Sequence, residues 1–270
     1  MSLSDRPIVT RAQLVSDLTG LGIEAGDVVM FHASVKAIGW VVGGPDVVIQ
    51  ALLDVVGAKG TLMMYVSVEE PIYDLPTLSE AARQAYLANA PAFDPNRTRA
   101  HRKWSILTEY LRTWPGAMRS ANPEAGVAAV GAKARWLTAD HPLQYGYGVA
   151  SPFEKLVQLS GKVLMLGAPL DTITLLHHAE HLANIPNKRI VSYQWPIERD
   201  GKRVWVNIEE FDTSRGIVDW AHGDTFEAIG KAFLGAGHGR SGKVGDADSH
   251  VFDAQSLVGF GVKWFEDRFA

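Results

Sequence analysis

Three segments of this chain carry uninterrupted apolar runs: 27–31 (DVVMF), 60–66 (GTLMMYV) and 162–168 (KVLMLGA). Successive side chains of an extended strand point to opposite faces. A run that is apolar throughout must therefore be covered on both faces, as an interior strand of an α/β sheet is. Helical start and stop signals fall between these runs. Thr10 and Gln13 frame a capping box ahead of Leu14 and Leu18, predicting a helix over 11–20. Pro45 suits the first turn of a helix that stops at Gly57. Ser151, Pro152 and Glu154 open another over 152–159. Further helices are expected over 105–114, 172–182, 226–233 and 257–269, and a strand over 126–130. Strands over 190–197 and 203–208 are joined by Asp200-Gly201, a hairpin signal that adds an antiparallel portion. The stretch 67–103 reads as irregular and 237–243 as a flexible glycine-rich loop. The expected fold class is α/β, a central mixed β-sheet covered by helices. With 270 residues, 47% of them hydrophobic, the chain can bury a substantial core, and 1–270 is expected to form a single domain.

Composition narrows the chemistry. The chain has no cysteine, which excludes disulfides, thiolate metal sites and acyl transfer through a cysteine thioester. A net charge of −4 argues against nucleic acid and anionic membrane as partners and is compatible with a cationic substrate. No apolar run is long enough to span a bilayer, and the polar start Met1 to Arg11 lacks the apolar core of a signal peptide, so a cytoplasmic location is expected.

The densest polar cluster is His177-His178-Ala179-Glu180-His181, after the strand KVLMLGA. On a helix His177, Glu180 and His181 share a face, and His178 points elsewhere. Three readings compete: a zinc site of the H-x-x-E-H type, histidines packed and satisfied beside the sheet, and a general base oriented by a carboxylate from another segment. A second cluster, Glu209-Glu210-Phe211-Asp212, places Glu210 and Asp212 on one side if the strand continues, either to orient a histidine and bind a cation or as a solvated strand end. Gly237 to Lys243 nearly matches a phosphate-binding loop, but Val244 stands where Ser or Thr must hold magnesium, and the segment follows a helix. His32 to Ala37, at a strand end, offers backbone N–H groups and Lys36 to a phosphate.

Longer motifs carry a resemblance. FHASVKAIG (31–39) with GGP (43–45), GTLMMY (60–65), FDP (93–95), RTWP and RSANPEA (112–125), YGYGVASP (145–152), LMLGAPLDTITLLHHAEHLA (164–183), GKRVWV (201–206), EFDT (210–213) and GKVGDADS (242–249) stand in family order. Over nearly its whole length the chain resembles the aminoglycoside 3-N-acetyltransferases, most closely the branch acting on gentamicin-like and related 2-deoxystreptamine drugs. The resemblance implies the antibiotic N-acetyltransferase fold, distinct from the GCN5-related acetyltransferases. It implies transfer of acetyl from acetyl-CoA to the 3-amino group of the drug, with no metal. It makes His177 the general base and Asp212 its orienting carboxylate. Glu70, Tyr147 and Glu210 fall at drug-contacting positions. Ser34, Val35, Lys36 and nearby Ser120 fall where acetyl-CoA lies. The expected partners are the drug and acetyl-CoA, with a homodimer as an option for assembly. Two other classes stay open: a zinc-dependent hydrolase built on the HHAEH helix, and a non-catalytic protein that binds cationic drugs.

Overall fold

The computed structural model describes residues 7–68, 72–219 and 225–270. A short strand β1 (Ile8–Val9) leads into α1 (Arg11–Leu21), where the Thr10 hydroxyl accepts the Gln13 N–H. The first apolar run is β2 (Val28–Ala33), which continues two residues past Phe31, and a single turn α2 (Val35–Ile38) follows it. Strand β3 (Trp40–Val41) pairs with β1, and α3 (Pro45–Val56) returns to β4 (Thr61–Tyr65).

The stretch expected to be irregular holds a 3-10 turn at Ile72–Thr77 and a helix α4 (Glu80–Asn89). After α5 (Ile106–Arg112) come β5 (Met118–Arg119), β6 (Val127–Gly131), α6 (Ala134–Thr138), α7 (Pro152–Gln158) and β7 (Lys162–Leu166). The helix expected over 172–182 is a 3-10 turn (Leu170–Thr172) followed by α8 (Leu176–Leu182). The hairpin β8 (Ile190–Arg199) and β9 (Lys202–Phe211) turns through Asp200 and Gly201 at positive φ, as an Asp-Gly turn favours. Then come α9 (Thr225–Gly235), β10 (Arg240–Val244), β11 (Ala247–Asp253) and α10 (Ala254–Phe269). The glycine-rich segment 237–243 is thus largely an edge strand rather than a flexible loop.

The central sheet has seven strands in the order β10-β11-β7-β2-β4-β6-β5. β2 lies parallel to both β4 and β7, and the flanking pairs are antiparallel, so the sheet is mixed, as expected. The hairpin β8–β9 does not join it and forms its own two-stranded sheet, tied to Phe93 by a bridge to Ile197. Alternation along β2 divides the core. Val29, Phe31 and Ala33 pack with α1, α3 and α5, whereas Val28 and Met30 pack with α7, α8, α9 and α10. The apolar runs are therefore covered on both faces by helices. The helix after β2 lies on one face and the helix after β7 on the other, which opens a crevice at the carboxyl ends of these neighbouring strands. Among the described residues no helix is long and apolar enough to cross a membrane.

Candidate functional site

A cavity of about 530 Å³ occupies that crevice. Its floor comes from the ends of β2 (His32, Ala33, Ser34) and β4 (Met64, Tyr65). One wall is the segment after β7 (Ala168 to Thr174) with His177 and Glu180 of α8. Opposite walls come from Thr213 to Gly216, the start of α9 (Thr225, Phe226), Trp104 and Tyr147.

His177 and Glu180 stand three residues apart on α8, and Nδ1 of the ring lies 2.6 Å from Glu180 Oε2. The Glu180 side chain is almost fully buried. A carboxylate accepts only, so Nδ1 carries the proton and Nε2 keeps its lone pair for the cavity. Tyr147 and Phe226 flank the ring, with centroids 4.8 and 4.7 Å away. The imidazole is thus fixed in tautomer by a buried carboxylate and in orientation by two aromatic neighbours.

The other histidines of the cluster are spent elsewhere. His178 is buried and donates Nδ1–H to the Tyr147 carbonyl at 2.8 Å, and burial pushes its pKa down. His181 Nε2 approaches Glu210 Oε1 to 2.9 Å, within ion-pair range but at an angle too bent for a hydrogen bond. Among the described residues no group of three or more His, Asp or Glu is placed to hold a metal ion. The geometry does not favour the hydrolase reading, since the imidazoles of the HHAEH helix lie against three different groups, Glu180, the Tyr147 carbonyl and Glu210.

The carboxylate expected to orient His177 is not the one found there. Asp212 is buried, and its Oδ1 accepts the Ser214 N–H at 3.0 Å, the Ser214 hydroxyl at 2.7 Å and the Arg215 N–H at 2.9 Å. Its Oδ2 stands 4.0 Å from an Arg189 nitrogen. Asp212 thereby folds the turn whose residues 213–216 line the cavity, while Glu180 holds His177. Glu210 is also buried away from the cavity wall, accepting the Phe211 N–H beside His181.

Tyr147 does reach the cavity, donating its hydroxyl to that of Tyr65 at 3.2 Å. Burial, the largest influence on it, pushes the Tyr65 phenol up to about 12. The YGYG motif that carries Tyr147 needs its glycines: a Cβ on Gly148 would lie 2.7 Å from His181 Nδ1. Ser34 lines the cavity, with its N–H bonded to Leu166 O at 3.0 Å. Val35 packs against the core beneath, and Lys36 is exposed on α2. Neither is on the cavity wall.

Ser120, expected near acetyl-CoA, is not on the cavity wall. It is fully buried, accepts the Val127 N–H at 3.0 Å and meets His141 Nδ1 at 2.9 Å. His141 Nε2 faces the Gly146 carbonyl at 2.7 Å, so the ring ties β5 to the loop that presents Tyr147. Glu70 lies outside the described residues. Three further side chains on the wall, those of Asp171, Arg215 and His32, carry no assigned role in the sequence. In the bare sequence the His177–Glu180 spacing stands out only as part of a zinc-type motif.

The profile of the family described as aminoglycoside 3-N-acetyltransferase matches residues 30–266. The aminoglycoside N(3)-acetyltransferase III of Pseudomonas aeruginosa is 52% identical over 260 residues, covering 96% of this chain and 94% of that one. A solved structure of AAC-IIIb in binary complex with CoASH superposes with a TM-score of 0.93 at 49% identity, covering 98% of each chain. A neutron/X-ray structure of sisomicin-bound AAC-VIa superposes with a TM-score of 0.91 at 37% identity, covering 98% of this chain and all 100% of that one. With its sheet, its helical cover and nearly its full length matched in this way, the chain belongs to the aminoglycoside 3-N-acetyltransferase family.

Proposed function

We propose that this chain acts as a single domain that transfers acetyl from acetyl-CoA to the 3-amino group of 2-deoxystreptamine aminoglycosides. The observation that carries the reading is the His177–Glu180 pair on the cavity wall. An aminoglycoside amine is largely protonated near neutral pH and attacks only with its lone pair free. An imidazole, whose ordinary pKa of about 6.5 lies near working pH, is suited to take that proton. Glu180 accepts Nδ1–H, keeps Nε2 turned to the amine and stabilises the imidazolium that forms. Asp212 serves the site by shaping the turn 213–216.

The relatives support both substrates by class: AAC-IIIb was solved with CoASH and AAC-VIa with sisomicin. The cavity suits both charges. Asp171 and Glu180 attract a polycation, while Arg215 on another wall and Lys36 beside the Ser34 end match the phosphates of the donor. With no cysteine in the chain to carry a thioester, direct transfer in a ternary complex is the simplest scheme. Acetylation removes a positive charge from the drug and adds bulk. Both weaken its hold on ribosomal RNA phosphates, so the activity confers resistance, acting in the cytoplasm where ribosomes and acetyl-CoA are found.

The test is release of CoA thiol on mixing the protein with acetyl-CoA and a panel of gentamicin-, kanamycin- and neomycin-type drugs. NMR of the product then locates the acetyl group. Turnover that requires the drug and acetylation at the 3-amino group are expected. Drug binding without thiol release would instead make the chain a sequestering protein.

A further inference from the structure

A second histidine faces the same cavity in a quite different environment. Along β2, Val28 and Met30 pack on the sheet face that carries α8. Alternation continues that stripe to His32, whose register neighbour on β7 is Met165, a member of the same cluster. His32 therefore lies on the α8 side of the sheet, at the strand end, and lines the cavity together with His177.

Among the described residues no carboxylate is paired with His32, and its buried Nε2 has no hydrogen-bond partner. A buried polar atom left unbonded costs on the order of 1–3 kcal/mol. On a ring that lines a reaction cavity, such an atom points to a partner that arrives with the substrates. Burial alone pushes the His32 pKa down to about 4, so the ring is uncharged at neutral pH. It neither competes with His177 for a proton nor repels a polycationic drug. An uncharged imidazole is also a hydrogen-bond donor, and enzymes use one in that form to polarise a carbonyl.

We propose that His32 is a further catalytic residue of acyl transfer, its uncharged imidazole donating an N–H to the carbonyl oxygen of the acyl donor. The role depends on the acyl-transfer reading proposed above. The amine nitrogen attacks the carbonyl carbon, forming the C–N bond, and its proton passes to His177 Nε2. Charge gathers on the carbonyl oxygen, where the His32 N–H holds it. The electron pair returns as the C–S bond breaks, and the thiolate leaves with the sulfur electrons and takes the proton from His177. Protein atoms seal Nε2. The ring presents it by turning about χ2, a torsion that is broad and roughly two-fold for histidine.

The experiment compares His32→Phe, His32→Asn and His32→Ala in the full chain. It measures melting temperature, affinity for CoA (which lacks the acyl carbonyl) and steady-state kinetics. Phe keeps the ring without a donor, and Asn keeps an amide donor near the ring position. The expected result is a loss of about 10²- to 10³-fold in kcat for His32→Phe, the usual cost of removing one such donor. CoA affinity should stay near wild type, and His32→Asn should keep at least about tenfold more activity than His32→Phe. A folded His32→Phe protein with wild-type kcat overturns the proposal. So does a loss shared equally by Phe and Asn together with lost CoA affinity, which would mark a cavity-shaping role. If His32→Phe does not fold, Asn is compared with Ala, and equal rates overturn it. Failure of the acyl-transfer reading looks different: the wild-type protein itself would bind CoA and release no thiol from acetyl-CoA with any drug.

Discussion

His178 donates its Nδ1–H to the backbone carbonyl of Tyr147, 2.8 Å away and 31 residues upstream, while the ring of Tyr147 lies against His177. One tyrosine thus uses two neighbouring histidines differently, its backbone anchoring one and its ring positioning the other. Successive helical residues point about 100° apart, so only one of the pair can face the cavity. His177→Ala is expected to lose about 10²- to 10⁴-fold in turnover, the usual cost of a general base. His178→Ala should lose roughly 1–3 kcal/mol of stability, because it strands a buried carbonyl, with little change in turnover of the folded fraction. Kinetics on folded, concentration-matched samples separate the two. A dead His178→Ala beside a near-normal His177→Ala would reverse the assignment.

Glu180→Gln and Asp212→Asn distinguish the two candidate orienting carboxylates. Gln cannot accept with the same charge or stabilise an imidazolium, so Glu180→Gln should imitate His177→Ala in part. The double variant should be less impaired than the product of the single effects, since groups acting as one unit are non-additive. Asp212→Asn alters the acceptor for the Ser214 and Arg215 N–H groups. It should lower the melting temperature and raise KM more than it lowers kcat. If Asp212→Asn alone abolishes kcat, the orienting role returns to Asp212.

The sheet interior was legible because its strands are apolar on both faces, and the helices at Thr10, Pro45 and Ser151 because their caps are local chemistry. α4 was not, since it buries no residue and therefore leaves no apolar stripe to read. The strand β10 was hidden by its position: it lies at the sheet edge, with Arg240 to Lys243 exposed, so its composition is that of a polar loop. In the site, His177 stood out by motif, but its partner did not. Glu180 lies three residues on, a spacing that serves a metal pair and a hydrogen-bonded pair equally well in a bare sequence. His32 gave no signal because a lone histidine at the end of an apolar strand is ordinarily a packed one. Its unbonded nitrogen appears only in three dimensions.

Lys36 is exposed on α2, two residues beyond Ser34, which lines the cavity. A phosphate partner there contributes mainly by charge. Lys36→Ala should raise KM for acetyl-CoA several-fold and leave KM for the drug nearly unchanged. The difference from wild type should shrink as salt rises, because exposed charge pairs are screened. Equal effects on both substrates would remove Lys36 from the donor site.

Added chelator should leave turnover intact, since among the described residues the HHAEH histidines take separate partners. Dialysis against EDTA followed by the thiol assay tests this. Stoichiometric zinc whose removal abolishes turnover would restore the metal reading.

Acid should destabilise the fold well before its carboxylates titrate. His32 and His141 are both pushed down to about 4, chiefly by burial, from an ordinary value near 6.5. His178 shifts in the same direction for the same reason. For each, the folded pKa lies below the unfolded one, so between these values the unfolded chain binds a proton that the folded chain refuses. Stability therefore rises with pH across this window and is lost as pH falls from about 6.5 towards 4. Each group contributes at most about 1.4 kcal/mol per pH unit. Glu109 acts lower down: burial works against its ionisation, but hydrogen bonds from Arg112, the Ala100 N–H and Arg99 hold it at about 2. Its contribution is lost only below about pH 4.5. Urea unfolding between pH 7.5 and 4.5 measures the slope. His141→Asn removes one titrating ring and should flatten the slope by up to about 1.4 kcal/mol per pH unit, at some cost in stability at pH 7 from the lost Gly146 contact. An unchanged slope in that variant would mean that His141 is not held neutral by the fold.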